Sequence, residues 1–236
     1  NYLYISNSNW AEGAGHIYRS TNGRDWEQIA QDFNAWSVSS LISVSDVLYA
    51  GTWSFTNPGI WRSANGTSWT QVFTSALPIA TFNKFNGGIY AGTFCSDSEG
   101  GTIWKSTDGD TWLPFVTNGN GDPHACGVIS SVVFAENLYF GVADWSGIAG
   151  GRIWRTDGTT VTEVVGDGFG NPNNTTPGGL EVFGERLYAS IASDESYQVW
   201  VSEDGDPDSW SMVWELLKAG SEAGDATGLI AYNNHL

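Results

Sequence analysis

The sequence predicts an all-β fold, a five-bladed β-propeller of four-stranded antiparallel blades, and three observations carry that prediction. A turn motif comes first: Ser20-Thr21-Asn22-Gly23-Arg24-Asp25-Trp26, Ser63-Ala64-Asn65-Gly66-Thr67-Ser68-Trp69 and Ser106-Thr107-Asp108-Gly109-Asp110-Thr111-Trp112. Two degenerate copies follow, Thr156-Asp157-Gly158-Thr159-Thr160-Val161, one residue short, and Ser202-Glu203-Asp204-Gly205, with an insertion before Trp210. Second, Leu3-Tyr4, Leu48-Tyr49, Ile89-Tyr90, Leu138-Tyr139 and Leu187-Tyr188 recur at intervals of 45, 41, 49 and 49 residues. Third, each is followed by an apolar-aromatic pair: Ile17-Tyr18, Ile60-Trp61, Ile103-Trp104, Ile153-Trp154 and Val199-Trp200. Short strands repeating at this period are what propeller blades require. The 30 Gly, 13 Trp and single Met fit short strands joined by tight turns better than helices.

Each unit reads as four strands. The first is an apolar run such as Ser131-Val132-Val133-Phe134, the second the Leu-Tyr strand and the third the Ile-Trp strand. The fourth follows the Gly turn, as in Trp69-Thr70-Gln71-Val72-Phe73. Within the turn, Asn22, Asn65, Asp108, Asp157 and Asp204 accept hydrogen bonds from amides two residues on. The Gly supplies a positive φ, the Ser or Thr caps the turn, and the Trp packs between sheets. Residues 1–236 are expected to form one domain of repeats starting near Leu3, Leu48, Ile89, Leu138 and Leu187. The run 228–236 aligns with 179–187, and Asn1-Tyr2-Leu3 echoes Asn234-His235-Leu236. The C-terminal strand is therefore expected to be the innermost strand of a blade whose other three come from the N-terminus. Such pairing closes the ring and removes exposed sheet edges. The rival expectation is a piece of a longer array. From the opening on strand-like residues, Tyr2-Leu3-Tyr4-Ile5, a mature or trimmed product is expected.

The turn motif resembles the Asp-box repeat of secreted bacterial sialidase-type propellers, Ser/Thr-x-Asp-x-Gly-x-x-Trp. The resemblance spans the whole chain. It implies a box between third and fourth strands, away from the ligand face, acting as a structural staple. It also invites a test for sialidase chemistry, which needs three Arg converging on a carboxylate. Of the six Arg, Arg19, Arg62 and Arg155 share one repeat position as structural residues would. Arg24 sits inside a box, Arg186 on the turn opposite the ligand face, and Arg152 alone lies near a rim. The catalytic set of that family has no counterpart here.

With 26 acidic residues against 9 basic ones, the net charge of −17 repels polyanions, so neither nucleic acid nor membrane insertion is expected. No stretch reaches the roughly 18 apolar residues of a membrane span. The acidity fits a secreted, extracellular or cell-surface setting. Asn65, Asn173 and Asn174 each open a glycosylation acceptor triplet.

A ligand face in a propeller is rimmed by the loops between second and third strands and those leading to the next blade. Here the former include Asn7-Ser8-Asn9-Trp10, Trp53-Ser54-Phe55-Thr56-Asn57, Cys95-Ser96-Asp97-Ser98-Glu99, Ala143-Asp144-Trp145-Ser146 and Ser193-Asp194-Glu195-Ser196-Tyr197. The latter include Asp32-Phe33-Asn34-Ala35-Trp36, Asp122-Pro123-His124-Ala125-Cys126 and 168–174. Aromatic rings cover the apolar face of a sugar while short polar side chains bond its hydroxyls. That chemistry selects Trp10, Asn34, Trp36, Trp53, Asp144, Trp145 and Tyr197 as candidate ligand residues. Cys95 and Cys126 fall on the same rim and are expected to form a disulfide if the protein is secreted. Asp204, Asp206 and Asp208 alternate, with Glu215 at the twelfth position, a faint calcium-loop pattern. Ser209 stands where such a loop needs Gly, and the flanks read as strands. The expected function is non-enzymatic recognition of glycans. A structural or assembly subunit docking another extracellular protein is the alternative, and a glycoside hydrolase the second.

Overall fold

The structure, a computed structural model, describes residues 2–8, 15–31, 33–54, 56–95, 99–218, 228–231 and 235–236. The chain forms two compact units, Asn1–Phe94 with Ile103–Phe115, and Cys95–Thr102 with Val116–Leu236.

The first unit holds three sheets. One is β1 (Leu3–Ser6), β2 (Ile17–Ser20) and β3 (Glu27–Ala30), in that order. The next is β4 (Ser37–Val44), β5 (Val47–Trp53), β6 (Gly59–Ser63) and β7 (Thr70–Thr74). The third is β8 (Ile79–Phe85), β9 (Gly88–Thr93), β10 (Ile103–Ser106) and β11 (Leu113–Val116). The second unit holds two sheets: β12 (Gly127–Phe134), β13 (Asn137–Ala143), β14 (Arg152–Thr156) and β15 (Val161–Val165), then β16 (Asn174–Phe183), β17 (Arg186–Ser193), β18 (Ser196–Ser202) and β19 (Ser211–Leu217). The fold is all-β and propeller-like, built from antiparallel meanders. The Leu-Tyr pairs fall on β1, β5, β9, β13 and β17, and the Ile-Trp pairs on the strand after each.

Among the described residues the first sheet has three strands and begins with the Leu-Tyr strand β1. Residues 228–231 and 235–236 carry no strand, and 232–234 lie outside the described residues.

The recurrent turn works through buried hydroxyls. Ser20, Ser63, Ser106, Thr156 and Ser202 are all buried at strand ends. Their oxygens accept from the N–H of Gly23, Gly66, Gly109, Gly158 and Gly205 at 2.9, 2.8, 2.8, 2.9 and 2.6 Å. Asn22 Oδ1 accepts from the N–H groups of Arg24 and Asp25, both at 2.9 Å, and Asp108 Oδ1 does the same for Asp110 and Thr111 at 2.9 and 2.7 Å. Thr111 and Asp110 hold the Asp108 carboxyl well below the usual carboxylate range.

Packing from sheet to sheet within each unit repeats as well. Phe33 meets Trp61 and Trp69 edge-on at 5.4 and 5.6 Å, Phe73 meets Trp104 at 4.7 Å, and Phe169 stacks on Trp200 at 4.6 Å. Each such ring contact adds about 0.5–1.5 kcal/mol beyond its area. Tyr49 and Tyr139 set their hydroxyl ends against the turn glycines Gly109 and Gly205 of the following sheet. Arg62 pairs with Asp110 and Arg155 with Asp206 across the same step. Gly51 lets Ile79 of β8 approach so closely that a Cβ would stand 2.6 Å from it.

Candidate functional site

In the second unit, β13 ends at Ala143 and runs into a loop wound around one carboxylate. Asp144 is fully buried. Its Oδ1 accepts from the N–H of Ser146 at 3.0 Å and from the Ser146 hydroxyl. Its Oδ2 accepts from the N–H groups of Ala149 and Gly150 at 2.8 and 3.1 Å. Burial pushes this carboxyl up, but those hydrogen bonds and the Arg152 charge outweigh it and leave the pKa below the ordinary value. Winding the loop inward at Asp144 turns Trp145 outward, and the residue is 47% exposed. The indole Nε1–H donates to Thr176 Oγ1 at 3.1 Å, which fixes the ring plane.

The opposite wall is the short β17–β18 hairpin. Ser193 Oγ accepts from the N–H groups of Glu195 and Ser196 at 3.1 and 2.9 Å, and the turn presents an exposed Asp194. The Lys218 N–H donates to the Glu195 carbonyl at 2.8 Å, and its ammonium lies 4.5 Å from the centroid of the Tyr197 ring. Asn174 anchors the connection from β15, donating to the Gly168 carbonyl at 2.9 Å and to Gln198 Oε1 at 3.1 Å. Between these walls lies a cleft of about 410 Å³ lined by Trp145, Asn173, Thr175, Thr176, Ser193, Asp194 and Lys218, among others. It joins one exposed aromatic wall to hydroxyl, amide, carboxylate and ammonium groups.

The sequence-derived candidates distribute unevenly. Trp145 lines this cleft, and Tyr197 reaches it through Lys218. The expectation that Asp144 serves as a rim ligand or rim acid needs correcting, because both its oxygens are taken up inside its own loop. Asn34, Trp36 and Trp53 belong to the first unit. Asn34 is exposed at φ 49°, Trp36 is half-buried with its N–H on the Trp53 carbonyl, and the Trp53 ring lies 4.2 Å from Phe94. Trp10 lies outside the described residues, as do Phe55 and 96–98. Lys218 is absent from the sequence-derived candidates because it follows the fourth strand β19, 73 positions from Trp145, and nothing local ties it to that loop.

Cys95 and Cys126 are joined as a disulfide, with Cα atoms 4.8 Å apart. The acidic run does not gather into a cation cage. Asp204 Oδ1 accepts the Asp206 N–H, Asp206 pairs with Arg155, and Glu215 accepts from Gln198 Nε2 at 3.1 Å. Among the described residues no three His, Cys, Asp or Glu side chains form a metal-holding group. Arg19, Arg62, Arg152, Arg155 and Arg186 are each held by an acidic partner. No described helix is long and apolar enough to cross a membrane.

No protein-family model and no curated protein matches the chain. Among solved structures it is similar to a protein from Lactobacillus plantarum determined by a structural genomics consortium, with a TM-score of 0.58 at 12% identity, over 95% of this chain and 70% of that one. At that identity the likeness speaks to fold alone.

Proposed function

We propose that this chain is an extracellular, non-enzymatic recognition module that binds carbohydrate in the Trp145 cleft. The observation that carries this reading is an exposed indole, fixed in orientation by Thr176, facing the polar groups of Asn173, Thr175, Ser193 and Asp194 across about 410 Å³. A volume of this size is in the usual range for small-ligand sites, and a flat ring opposite short polar side chains suits a pyranose. The Cys95–Cys126 disulfide supports an oxidising compartment. Hydrolysis needs a carboxylate pair across the sugar. Asp194 is the one carboxylate lining this cleft among the described residues, and Asp144 is spent on its loop.

The test is a titration of cellohexaose, mannohexaose and maltohexaose followed by Trp fluorescence, with and without calcium. A saturable change in the wild type that disappears in Trp145→Ala is expected. Binding that survives Trp145→Ala would move the site elsewhere, and silence across the panel would sink the reading.

One observation favours the assembly alternative. All seven residues of β19 are exposed, including Met212, Val213, Trp214, Leu216 and Leu217 on both faces of an edge strand. Long apolar edges invite pairing with another chain. Concentration-dependent sedimentation that responds to Trp214→Lys would support this alternative.

We further infer membership of the Asp-box group and a five-bladed ring completed by pairing of N- and C-terminal strands. The turn geometry and the three-stranded first sheet support it. Deleting 228–236 is then expected to lower the melting temperature, and unchanged melting would count against closure.

A further inference from the structure

We infer that Gly127 is the positioning residue of the Trp145 cleft: the missing side chain at 127 sets where the indole stands, and so how wide the cleft opens. Its consequence for affinity rests on the glycan reading, but its geometry does not.

Gly127 opens β12 and pairs with Ala143, the last residue of β13, immediately before the Asp144 loop. A Cβ built there would stand 2.8 Å from Trp145 Cη2 and 3.3 Å from Cζ3. The first is closer than two carbons tolerate, and the second is tight. Gly127 does not occupy the left-handed region, so its backbone accommodates any residue. Glycine is required at this position by the approach of the ring, not by conformation. The far edge of the same ring is tied by Nε1 to Thr176. The indole thus lies between two fixed points, the bare backbone of Gly127 and the Thr176 hydroxyl.

The backbone beneath it cannot retreat. The Cys126 N–H donates to the Ala143 carbonyl at 2.7 Å, and Cys126 is cross-linked to Cys95. The Gly101 N–H donates to the Ala125 carbonyl at 2.8 Å. Arg152, with a side chain only 4% exposed, holds Asp122 at 2.5 Å. A methyl group at 127 is therefore relieved by the half-exposed ring rather than by the strand. That displacement pulls Nε1 away from Thr176 and changes the wall presented to a ligand. Ile129 Cγ2, 3.1 Å from the same Cβ position, needs to give by only a few tenths of an ångström.

The experiment compares wild type, Gly127→Ala, Trp145→Phe and the double variant, each labelled with 5-fluorotryptophan. The ¹⁹F resonance missing from Trp145→Phe identifies Trp145. In Gly127→Ala this resonance is expected to shift while most others stay. Affinity for the panel hexaose that binds wild type is expected to fall about tenfold, an effect absent when the same change is made in the Trp145→Phe background, whose shorter ring does not reach position 127. An unmoved Trp145 resonance in folded Gly127→Ala overturns the assignment. If Gly127→Ala fails to fold, Trp145→Phe must rescue it, and failure of the pair also overturns it. A shifted resonance with no hexaose bound by wild type keeps the positioning role and removes the glycan.

Discussion

Replacing Gly109 by Ala tests how the repeated turn is locked to its neighbour. Gly109 adopts φ 78°, and an added Cβ would stand 1.9 Å from the Tyr49 hydroxyl oxygen and 2.7 Å from Cζ. Two costs follow. Holding an L-residue in the left-handed region costs about 1–2 kcal/mol. Tyr49 is 4% exposed, within a cluster that includes Ile60, Phe82 and Trp112, so moving it by more than an ångström is overpacking, worth about 1–3 kcal/mol. The sum is about 2–5 kcal/mol. Gly23 supplies the control inside the same unit: φ is 73°, but its Cβ would meet only Leu3 Cδ1 at 3.5 Å, an ordinary contact. Gly23→Ala should therefore cost only the first part, about 1–2 kcal/mol. Urea denaturation followed by Trp fluorescence, with slopes checked for constancy, measures both. Gly66→Ala, with the Tyr4 hydroxyl at 3.3 Å, should fall between them. Tyr49→Phe should recover part of the Gly109→Ala loss. Equal costs for Gly109→Ala and Gly23→Ala would refute the packing argument, since Tyr49 would then be yielding without resistance.

Removing the buried acceptor of a turn, as in Ser63→Ala, strands the N–H of Gly66 and should cost about 1–3 kcal/mol in the same assay. Asp157, held down to about 2 chiefly by the Thr159 hydroxyl and the Thr160 N–H, titrates below its ordinary 3.8. Its stabilisation is complete above that ordinary value and is lost as pH falls through about 2. The stability gap between wild type and Asp157→Asn should therefore close between pH 4 and pH 2, and a gap independent of pH would contradict this. Opening the Cys95–Cys126 loop, with a sequence separation of 31, by a double Ser replacement should cost about 3–4 kcal/mol on the chain-entropy estimate, read as a lowered urea midpoint. Lys218→Met is expected to weaken any ligand that contacts the cleft's ammonium while leaving folding unchanged, as calorimetry with the bound hexaose would show.

The strands and turns were legible in the sequence because their causes are local. Ser20 to Asp25 or Ser106 to Thr111 carries the hydrogen-bond logic of a turn within six residues, and the Leu-Tyr and Ile-Trp pairs mark strand positions by period alone. The site was legible only in part. Trp145 follows from its loop, but nothing local shows that Asp144 beside it is consumed by Ser146, Ala149 and Gly150, since a carboxylate reads the same whether it faces a ligand or its own backbone.

By itself, then, the sequence determined the all-β class, the repeat and the turn chemistry. Tertiary structure decided which residues share a cleft. Thr176 and Lys218 stand 31 and 73 positions from Trp145, yet one bonds its indole and the other lines the same volume. Local hydrogen bonds act over a few residues and leave a pattern in the chain. A cleft is made by separate strands whose ends meet only when sheets pack, and that meeting depends on side-chain volumes such as the bare backbone of Gly127.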